Sequence, residues 1–334
     1  MSNGPDSRAI HSEAFGAIAI GRNEGVRLKA CLASLSSAEV VVYVDSGSID
    51  DSIPVALSRG AIVVSLDPNA PFTAARARNE GFKRLRKVRP DLEFVQFIDG
   101  DCQLELDWPT KAVGFLRESA QIAALAGRRY ERNPSLSIYN WLCDREWDGP
   151  AGKVRSCGGD VMMRAAAFEQ VNGFRDEMIA GEEPELCVRL RARGWLVWRL
   201  AEPMTSHDAS MTRFAQWWRR TLRGGYAYAM GAHLHGGAPE FHKVWESRRA
   251  WFWGVLLPLA CIASTLIFGP VGLLLALLYL MQLVKQILSL KGTFKERFLL
   301  ATFQLLARFP EGLGQLAFWR DRLRSKRMQI IEYK

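Results

Sequence analysis

At 334 residues the chain is too long for one ordinary core and long enough for one large α/β domain with an appendage. Its near-average apolar fraction excludes a disordered chain, and its net charge of +9 suits nucleic acid, anionic lipid or phosphorylated small molecules. Zinc-finger spacing, an RNA-binding sheet signature and repeated Lys/Arg tracts are all missing, so nucleic acid is not an expected partner.

Residues 1–14 read as a polar tail without an apolar signal core. Apolar runs and helical patterns then alternate. Ala17–Ile20 predicts a strand, Val26–Leu35 a helix and Val40–Val44 a strand. Ser48 is expected to cap a helix running to Arg59, with Asp50 and Asp51 in its first turn. Ala61–Leu66 predicts a strand, Ala74–Arg86 a basic helix and Phe94–Ile98 a strand. This βαβα rhythm implies a mostly parallel sheet with helices on both faces and ligands at the carboxyl ends of the strands. Further on, Ile122–Ala126, Val161–Arg164 and Trp195–Leu200 predict strands. Asn133–Trp147 predicts an aromatic loop with a short helix, and Pro184–Arg193 an amphipathic helix with Glu185 and Arg189 paired at i,i+4. Six scattered cysteines without C-x-x-C spacing predict reduced thiols in a cytosolic compartment.

Near residue 250 the composition changes. Trp251–Phe268 carries no charge, Gly269-Pro270 interrupts it, and Val271–Leu288 is apolar almost to its end. Each arm is about 18 residues, or roughly 27 Å as a helix, close to the thickness of a bilayer core. Arg248 and Arg249 precede the pair, and Lys285, Lys291 and Lys295 follow, which places both ends on the cytoplasmic side. The expectation is a membrane hairpin, spanning or re-entrant; the alternative is a buried hairpin of a soluble helical subdomain. Phe294–Leu316 with Phe318-Trp319-Arg320 reads as an interfacial amphipathic segment, or else a packed surface helix. Arg320–Arg327 is basic enough to touch anionic lipid.

Four short segments carry chemistry. Asp99-Gly100-Asp101 ends the strand at Phe94, and acids this close repel each other unless a cation sits between them. A hard divalent metal holding a diphosphate is the economical explanation; an Asp-Gly turn is the bland one. Asp45, ending a strand before Ser46-Gly47, is placed to accept a hydrogen bond from a base N–H, or serves as a turn residue. Arg76 and Arg78 offer planar cationic donors but cannot share a helix face, so at most one enters a site. In Gly181-Glu182-Glu183-Pro184, the proline is expected to push Glu183 out of helical geometry and expose its carboxylate at a helix start, suited to a general base or to dipole compensation.

Together these segments resemble the catalytic domain of the glycosyltransferase family 2 enzymes, over roughly residues 14–210. The resemblance rests on Ile20-Gly21-Arg22-Asn23-Glu24, Asp45-Ser46-Gly47-Ser48-Ile49-Asp50, Ala77-Arg78-Asn79-Glu80-Gly81, Asp99-Gly100-Asp101, Cys157-Gly158-Gly159-Asp160 and Gly181-Glu182-Glu183-Pro184-Glu185-Leu186. It implies a GT-A fold and inverting transfer from a nucleotide-diphospho-sugar, with uridine the commonest base. By the resemblance, Asp45, Arg78, Asn23 and Gly159 belong to the donor site. Asp99 faces the ribose or the metal, and Asp101 ligates Mg²⁺ or Mn²⁺. Glu183 takes the base position; the family commonly has Glu-Asp here, so the longer side chain keeps Glu182 as an alternative. A late histidine completes the metal site in some GT-A enzymes, and His207 stands in that place, with a structural histidine as the other reading.

The stretch from Phe214 to Gly225 is similar to the Gln-x-x-Arg-Trp element of processive family members, but its order departs from it. It predicts an interface helix in which Arg219, Arg220 or Arg223 holds an acceptor diphosphate, or one that only anchors the protein at a membrane surface.

The expectation is therefore an α/β GT-A catalytic domain at 15–210, an amphipathic juxtamembrane segment at 211–250, a hydrophobic helical hairpin at 251–289 and an amphipathic basic segment at 290–334. The protein is expected at the cytoplasmic (inner) membrane with its catalytic domain in the cytosol. The partners are a nucleotide-diphospho-sugar donor and a lipid-linked or cell-surface glycan acceptor. The rivals are a polyprenyl-phosphate sugar synthase, a non-catalytic nucleotide-sugar-binding module, and a transporter or scaffold built on the hairpin.

Overall fold

The structure, a computed structural model, describes residues 14–324. The expected polar tail at 1–13 and the end of the basic stretch at 325–327 lie outside the described residues. The first half runs β1 (Phe15–Gly21), α1 (Gly25–Ser34), β2 (Val40–Asp45), α2 (Ser52–Ser58), β3 (Ile62–Ser65), α3 (Ala74–Val88), β4 (Phe94–Asp99), β5 (Cys102–Leu104) and α4 (Trp108–Glu118). There follow β6 (Ile122–Glu131), α5 (Ile138–Trp147), β7 (Gly152–Lys153), β8 (Val161–Arg164), α6 (Ala165–Gln170), α7 (Glu182–Ala192) and β9 (Leu196–His207). The rest is helical: α8 (Phe214–His235), α9 (Val244–Trp251), α10 (Leu257–Phe268), α11 (Leu277–Ser289), α12 (Phe294–Leu306) and α13 (Arg308–Leu323).

The strands form one sheet in the order β3-β2-β1-β4-β8-β6-β9-β5, with β7 beside β9. β3, β2, β1 and β4 are parallel, as the alternating pattern predicts; β8, β5 and β7 are antiparallel to their neighbours. Apolar clusters cover both faces. Ile18, Val42, Val95 and Phe97 face one side with α3, α6 and α7, and Phe15, Ala17, Tyr43 and Ile98 face the other with α1 and α4. Burying each of the larger of these side chains, Ile18, Val42, Val95, Phe97, Phe15 and Ile98, contributes about 1.5–3 kcal/mol.

Register decides where the polar strand ends meet. Gly21 lies opposite Asp45, and Ile20 opposite Asp99, so both aspartates emerge at one carboxyl edge. The antiparallel pair places Cys102 opposite His207, and the parallel pair places Glu131 opposite His207.

The predicted cap at Ser48 does not form. The Asp45 carboxylate accepts the N–H groups of Gly47 and Ser48, both at 2.9 Å, which keeps this stretch in a turn. The helix starts only at Ser52, whose N–H is accepted by Asp50 Oδ1 at 3.0 Å.

At the other end, Gly269 takes φ +67° and the chain folds back on α10. A Cβ on Gly272 would lie 2.3 Å from the Ser264 and Thr265 backbone, so only glycine permits this approach. The Ser264 hydroxyl donates to Gly272 O, and the Tyr279 hydroxyl to Trp253 O, tying the two arms together. The run Val244–Ser289 is long and apolar enough to cross a membrane by length and composition. Its side chains are not a soluble core: Leu266, Ile267, Phe268 and Val271 are each at least 66% exposed.

α13 departs from a purely interfacial segment. Gln315 and Phe318 are buried, and α13 packs on α8 where a Cβ on Gly225 would meet Glu311 O at 2.1 Å. The glycines of the two helices let their backbones touch, so this half behaves as a packed helix.

Candidate active site

The edge defined by Asp45 and Asp99 carries a charged network. Arg78, on the buried face of α3, donates from Nη2 to Asp99 Oδ1 and from Nη1 to Glu182 Oε1, each at 2.7 Å. Its side chain is only 3% exposed, so one buried guanidinium holds two carboxylates from distant parts of the chain. Arg76 instead donates to the carbonyls of Asp67 and Ala70, which accords with only one of these arginines entering the site. Gly159 leaves the room for Arg78: a Cβ there would lie 2.6 Å from Nη2.

Asp99 Oδ2 faces Arg129 Nη1 at 3.6 Å, and the same nitrogen lies 3.5 Å from Asp160 Oδ2. Asp160 in turn accepts from the Asp99 N–H at 3.0 Å and from the Thr205 hydroxyl at 2.8 Å. The Arg129 guanidinium rests over the Trp147 ring at 4.7 Å, an arrangement favoured by the ring quadrupole.

Two residues further on, Asp101 is buried and its Oδ2 stands 3.3 Å from His207 Nε2. The other imidazole nitrogen, Nδ1, is 3.2 Å from Glu131 Oε2. Glu131 is itself fixed by the N–H groups of Ala209 and Asn133 and by Asn140 Nδ2. Burial, helped by the Arg129 charge, pushes the His207 pKa below its ordinary value, so the ring is neutral at pH 7 and able to ligate a metal. A carboxylate and a neutral imidazole converging on one point, with a second carboxylate orienting the ring, is the donor set and outer shell of a divalent-metal site. Cys102 lies close enough to join Asp101 and His207 in such a group. The residues present thus fit a Mn²⁺ or Mg²⁺ ion.

Several expected site residues are placed differently. Asp45 is 1% exposed, and its oxygens accept from Gly47, Ser48 and the Tyr43 hydroxyl, so the turn role is the one its contacts display. Asn23 clamps that turn, its Oδ1 accepting the Ile49 N–H and its own N–H donating to Ser48 Oγ. Glu183 is not exposed. It lies inside the first turn of α7, where proline loses no intrahelical bond, and is 4% exposed. Its Oε1 accepts the Cys157 N–H at 2.6 Å and lies 3.1 and 3.0 Å from the thiols of Cys157 and Cys187. Glu182 is the member of the pair that reaches Arg78, which also holds Asp99. Arg219 is exposed on α8, Arg220 pairs with Glu146 at 2.7 Å, and Arg223 donates to Ile179 O at 2.9 Å.

Arg129, Glu131 and Asp160 received no role from the sequence. The signal for two of them was present: Arg129 and Glu131 alternate on one face at the end of a strand that otherwise reads as apolar. Asp160 lay within a quoted motif, but only the sheet brings it under Asp99.

A cavity of about 790 Å³ adjoins this network. Gly181 and Pro184, which flank Glu182 and Glu183, form part of its wall, and so does Asp148, next to Trp147.

The family described as Glycosyl transferase family 2 matches residues 18–164. Among solved structures, the chain is similar to the mannosyltransferase PcManGT from Pyrobaculum calidifontis, in complex with GDP-Man and Mn²⁺: 18% identity, TM-score 0.59, over 90% of this chain and 86% of that one. It is also similar to S. aureus TarS 1–349, with 14% identity and TM-score 0.52 over 94% of this chain and 92% of that one. At these identities the likeness is one of fold. Comparison with curated proteins finds no match.

Proposed function

From the premise that this chain carries a glycosyl transferase family 2 domain over residues 18–164, has a GT-A fold and is a glycosyltransferase, we propose that it transfers a sugar with inversion. The donor is a nucleotide-diphospho-sugar, and the acceptor a hydroxyl of a lipid-linked or cell-surface glycan. The observation that carries this reading is Arg78 joining Asp99 to Glu182 beside the Asp101–His207 pair.

Asp101 and His207 would hold the divalent ion, with Asp99 nearby on its two arginines. When bound, the ion neutralises charge developing on the departing diphosphate. Arg129 adds a fixed cation on the same edge. Asn23 and Asp45 keep the turn at Ser46–Ser48 shaped for the nucleotide. Glu182 is the base. It accepts the proton of the acceptor hydroxyl as that oxygen attacks the anomeric carbon opposite the leaving group. Such help is worth about 10²–10⁴ in rate.

The neighbour's mannosyl donor and Mn²⁺ support a nucleotide-sugar and metal reading without fixing sugar or base. The exposed apolar hairpin supports a membrane location, and the cations at both its ends support a cytosolic catalytic domain. On this reading residues 15–210 form the catalytic unit, 211–250 a juxtamembrane link, 251–289 the membrane hairpin and 290–334 a basic flank. The location is the cytoplasmic membrane.

The test is a transfer assay with the full chain in detergent, Mn²⁺ or Mg²⁺, and a panel of nucleotide sugars. Metal-dependent transfer to a hydroxyl acceptor that collapses in Glu182→Gln supports the reading. Transfer unaffected by that change overturns the base assignment to Glu182; if Glu183→Gln is equally without effect, the acceptor is one that is already anionic, such as a polyprenyl phosphate.

A further inference from the structure

The cavity lined by Gly181 and Pro184 carries two unlike sets of side chains. One is cationic: six basic side chains, Arg145, Arg220, Arg223, Lys243, Arg249 and Arg308, face three carboxylates, Glu146, Asp148 and Glu311. The other is apolar, made by Leu142, Leu290, Leu300, Phe303 and Ala307. Leu290 directly follows the second arm of the hairpin, so the apolar wall starts where the membrane segment ends.

The basic wall is not neutralised by its own acids. Arg145 pairs with Glu296, Arg220 with Glu146 and Arg308 with Glu311. Arg249 makes no ion pair among the described residues, and its Nε is buried without a hydrogen-bond partner. Leaving a guanidinium N–H buried and unmet is costly, and an anion relieves the cost. Arg308 and Glu311 are themselves buried, and burial pushes the Arg308 pKa down and that of Glu311 up. With six basic side chains against three carboxylates, the lining carries excess positive charge that an added negative group offsets. Burial and the Lys243 charge depress His242 to about 4, so it adds no positive charge at neutral pH.

We infer that this cavity seats the acceptor and grips it through a phosphate or diphosphate group at Arg249 and Arg308, with a lipid chain along Leu300 and Phe303. The inference rests on the sugar-transfer reading for the word acceptor, and names that acceptor's chemical class. Guanidinium forks match phosphate oxygens. The apolar wall selects a lipid-borne phosphate over a free one. Gly181 and Pro184, which flank Glu182 and Glu183 in sequence, line the same cavity, and this places the acceptor's far end toward Glu182. The phosphate is thus a handle, and the reacting hydroxyl lies further along the molecule.

The experiment is isothermal titration of the full chain in neutral detergent with farnesyl diphosphate, farnesol and inorganic pyrophosphate. EDTA is present throughout, so that no metal offers the diphosphate a place at Asp101. Farnesyl diphosphate should bind at least tenfold more tightly than either of the others. Arg249→Gln, which removes no ion pair, should weaken that binding about tenfold, about 1.4 kcal/mol, with an unchanged melting temperature; Arg249→Lys should retain most of it. Phe303→Asp should weaken farnesyl diphosphate and leave pyrophosphate unaffected. Equal affinity for farnesol, or unchanged affinity in Arg249→Gln, overturns the phosphate grip. Equal affinity for pyrophosphate overturns the lipid source. Binding that stands while every transfer assay fails removes the sugar-transfer reading and leaves the anion site. Transfer that stands while this binding is absent removes only the cavity assignment.

Discussion

Glu182 and Glu183 are neighbours in sequence and face opposite surroundings: the Glu182 carboxylate meets Arg78 at 2.7 Å, and that of Glu183 meets the Cys157 N–H at 2.6 Å. One looks onto the charged edge of the sheet, and the other ties the Cys157 loop to the start of α7. The two positions therefore fail differently on removal of charge. Glu182→Gln should lower kcat by about 10²–10⁴ and, because it weakens a charged bond to the buried Arg78, also cost about 1–3 kcal/mol of stability. Glu183→Gln should lower stability by about 1–3 kcal/mol, because it weakens a buried charge-assisted hydrogen bond, and reduce activity less. Steady-state kinetics, measured where thermal unfolding shows both variants folded, separates them; a larger kcat loss in Glu183→Gln would return the base to Glu183.

Asp101 and His207 are brought together by the pairing of Cys102 with His207. If they hold the ion, each single change should abolish the extra thermal stabilisation that Mn²⁺ adds to nucleoside diphosphate. A ligand binding only the native state raises the melting point by linkage. Asp101→Ala and His207→Ala should both lose that increment. Glu131→Gln should weaken the metal dependence about 10–100-fold, since it only orients the imidazole. An undiminished increment in Asp101→Ala would falsify the assignment.

Much of this site was legible because its residues sit at strand ends. Asp45 and Asp99 each close an apolar run, and parallel pairing must then set them on one edge. The location of Arg78 on a different face from Arg76 followed from helical periodicity alone. Which glutamate faces the edge did not follow, since both lie in one helical turn and the choice depends on Cys157 arriving from another loop. Arg129 was hidden by a long strand whose bulges shift its register, and such bulges leave no simple pattern in sequence. The reach of α13 onto α8 depends on glycines meeting across the helices, a contact between segments far apart in the chain.

Gly159 tests the seat of Arg78. A methyl group there would overlap Nη2, and Arg78 can move only by giving up its bonds to Asp99 or Glu182. Hydrogen bonds between charged groups are worth about 1.5–3 kcal/mol each. Gly159→Ala should thus cost at least tenfold in kcat/KM for the donor. Gly114→Ala, at a helical position where a Cβ meets nothing within 4 Å, should be neutral or stabilising by up to about 1 kcal/mol. Equal kinetics for the two variants would show that Arg78 does not need this space.

The apolar hairpin gives a prediction about location. Ile262, Leu266 and Ile267 are more than half exposed on α10 and touch no core. Asp within a membrane helix costs about 2.5–3.5 kcal/mol per residue. Ile262→Asp with Leu266→Asp should release the chain from phosphatidylcholine vesicles in a flotation assay, while donor-induced stabilisation persists. A double variant that floats like the parent chain would place the membrane contact elsewhere.

Glu185 gives the pH prediction. It is fully buried and bonded to Arg175 Nε, Arg189 Nε and His235 Nε2 at 2.8–2.9 Å. Burial raises its pKa, but the bonds from Arg189, His235 and Arg175 outweigh this and hold it below the ordinary 4.5. A carboxylate with a depressed folded-state pKa adds stability that is fully present above its unfolded value. That stability is lost as pH falls through the folded value. Glu185→Gln weakens the bonds of this buried carboxylate to three part-exposed partners and should cost about 1–3 kcal/mol at pH 7. The gap in melting temperature between parent and variant should hold steady down to about pH 5 and narrow below pH 4.5 as the parent's own carboxylate protonates. The three partners reach Glu185 from α7, from α8 and from the loop before α7, so the loss should register in unfolding of the catalytic unit together with α8. A gap that stays constant down to pH 3 would mean that the charge on Glu185 contributes nothing, and that the variant is destabilised by packing alone.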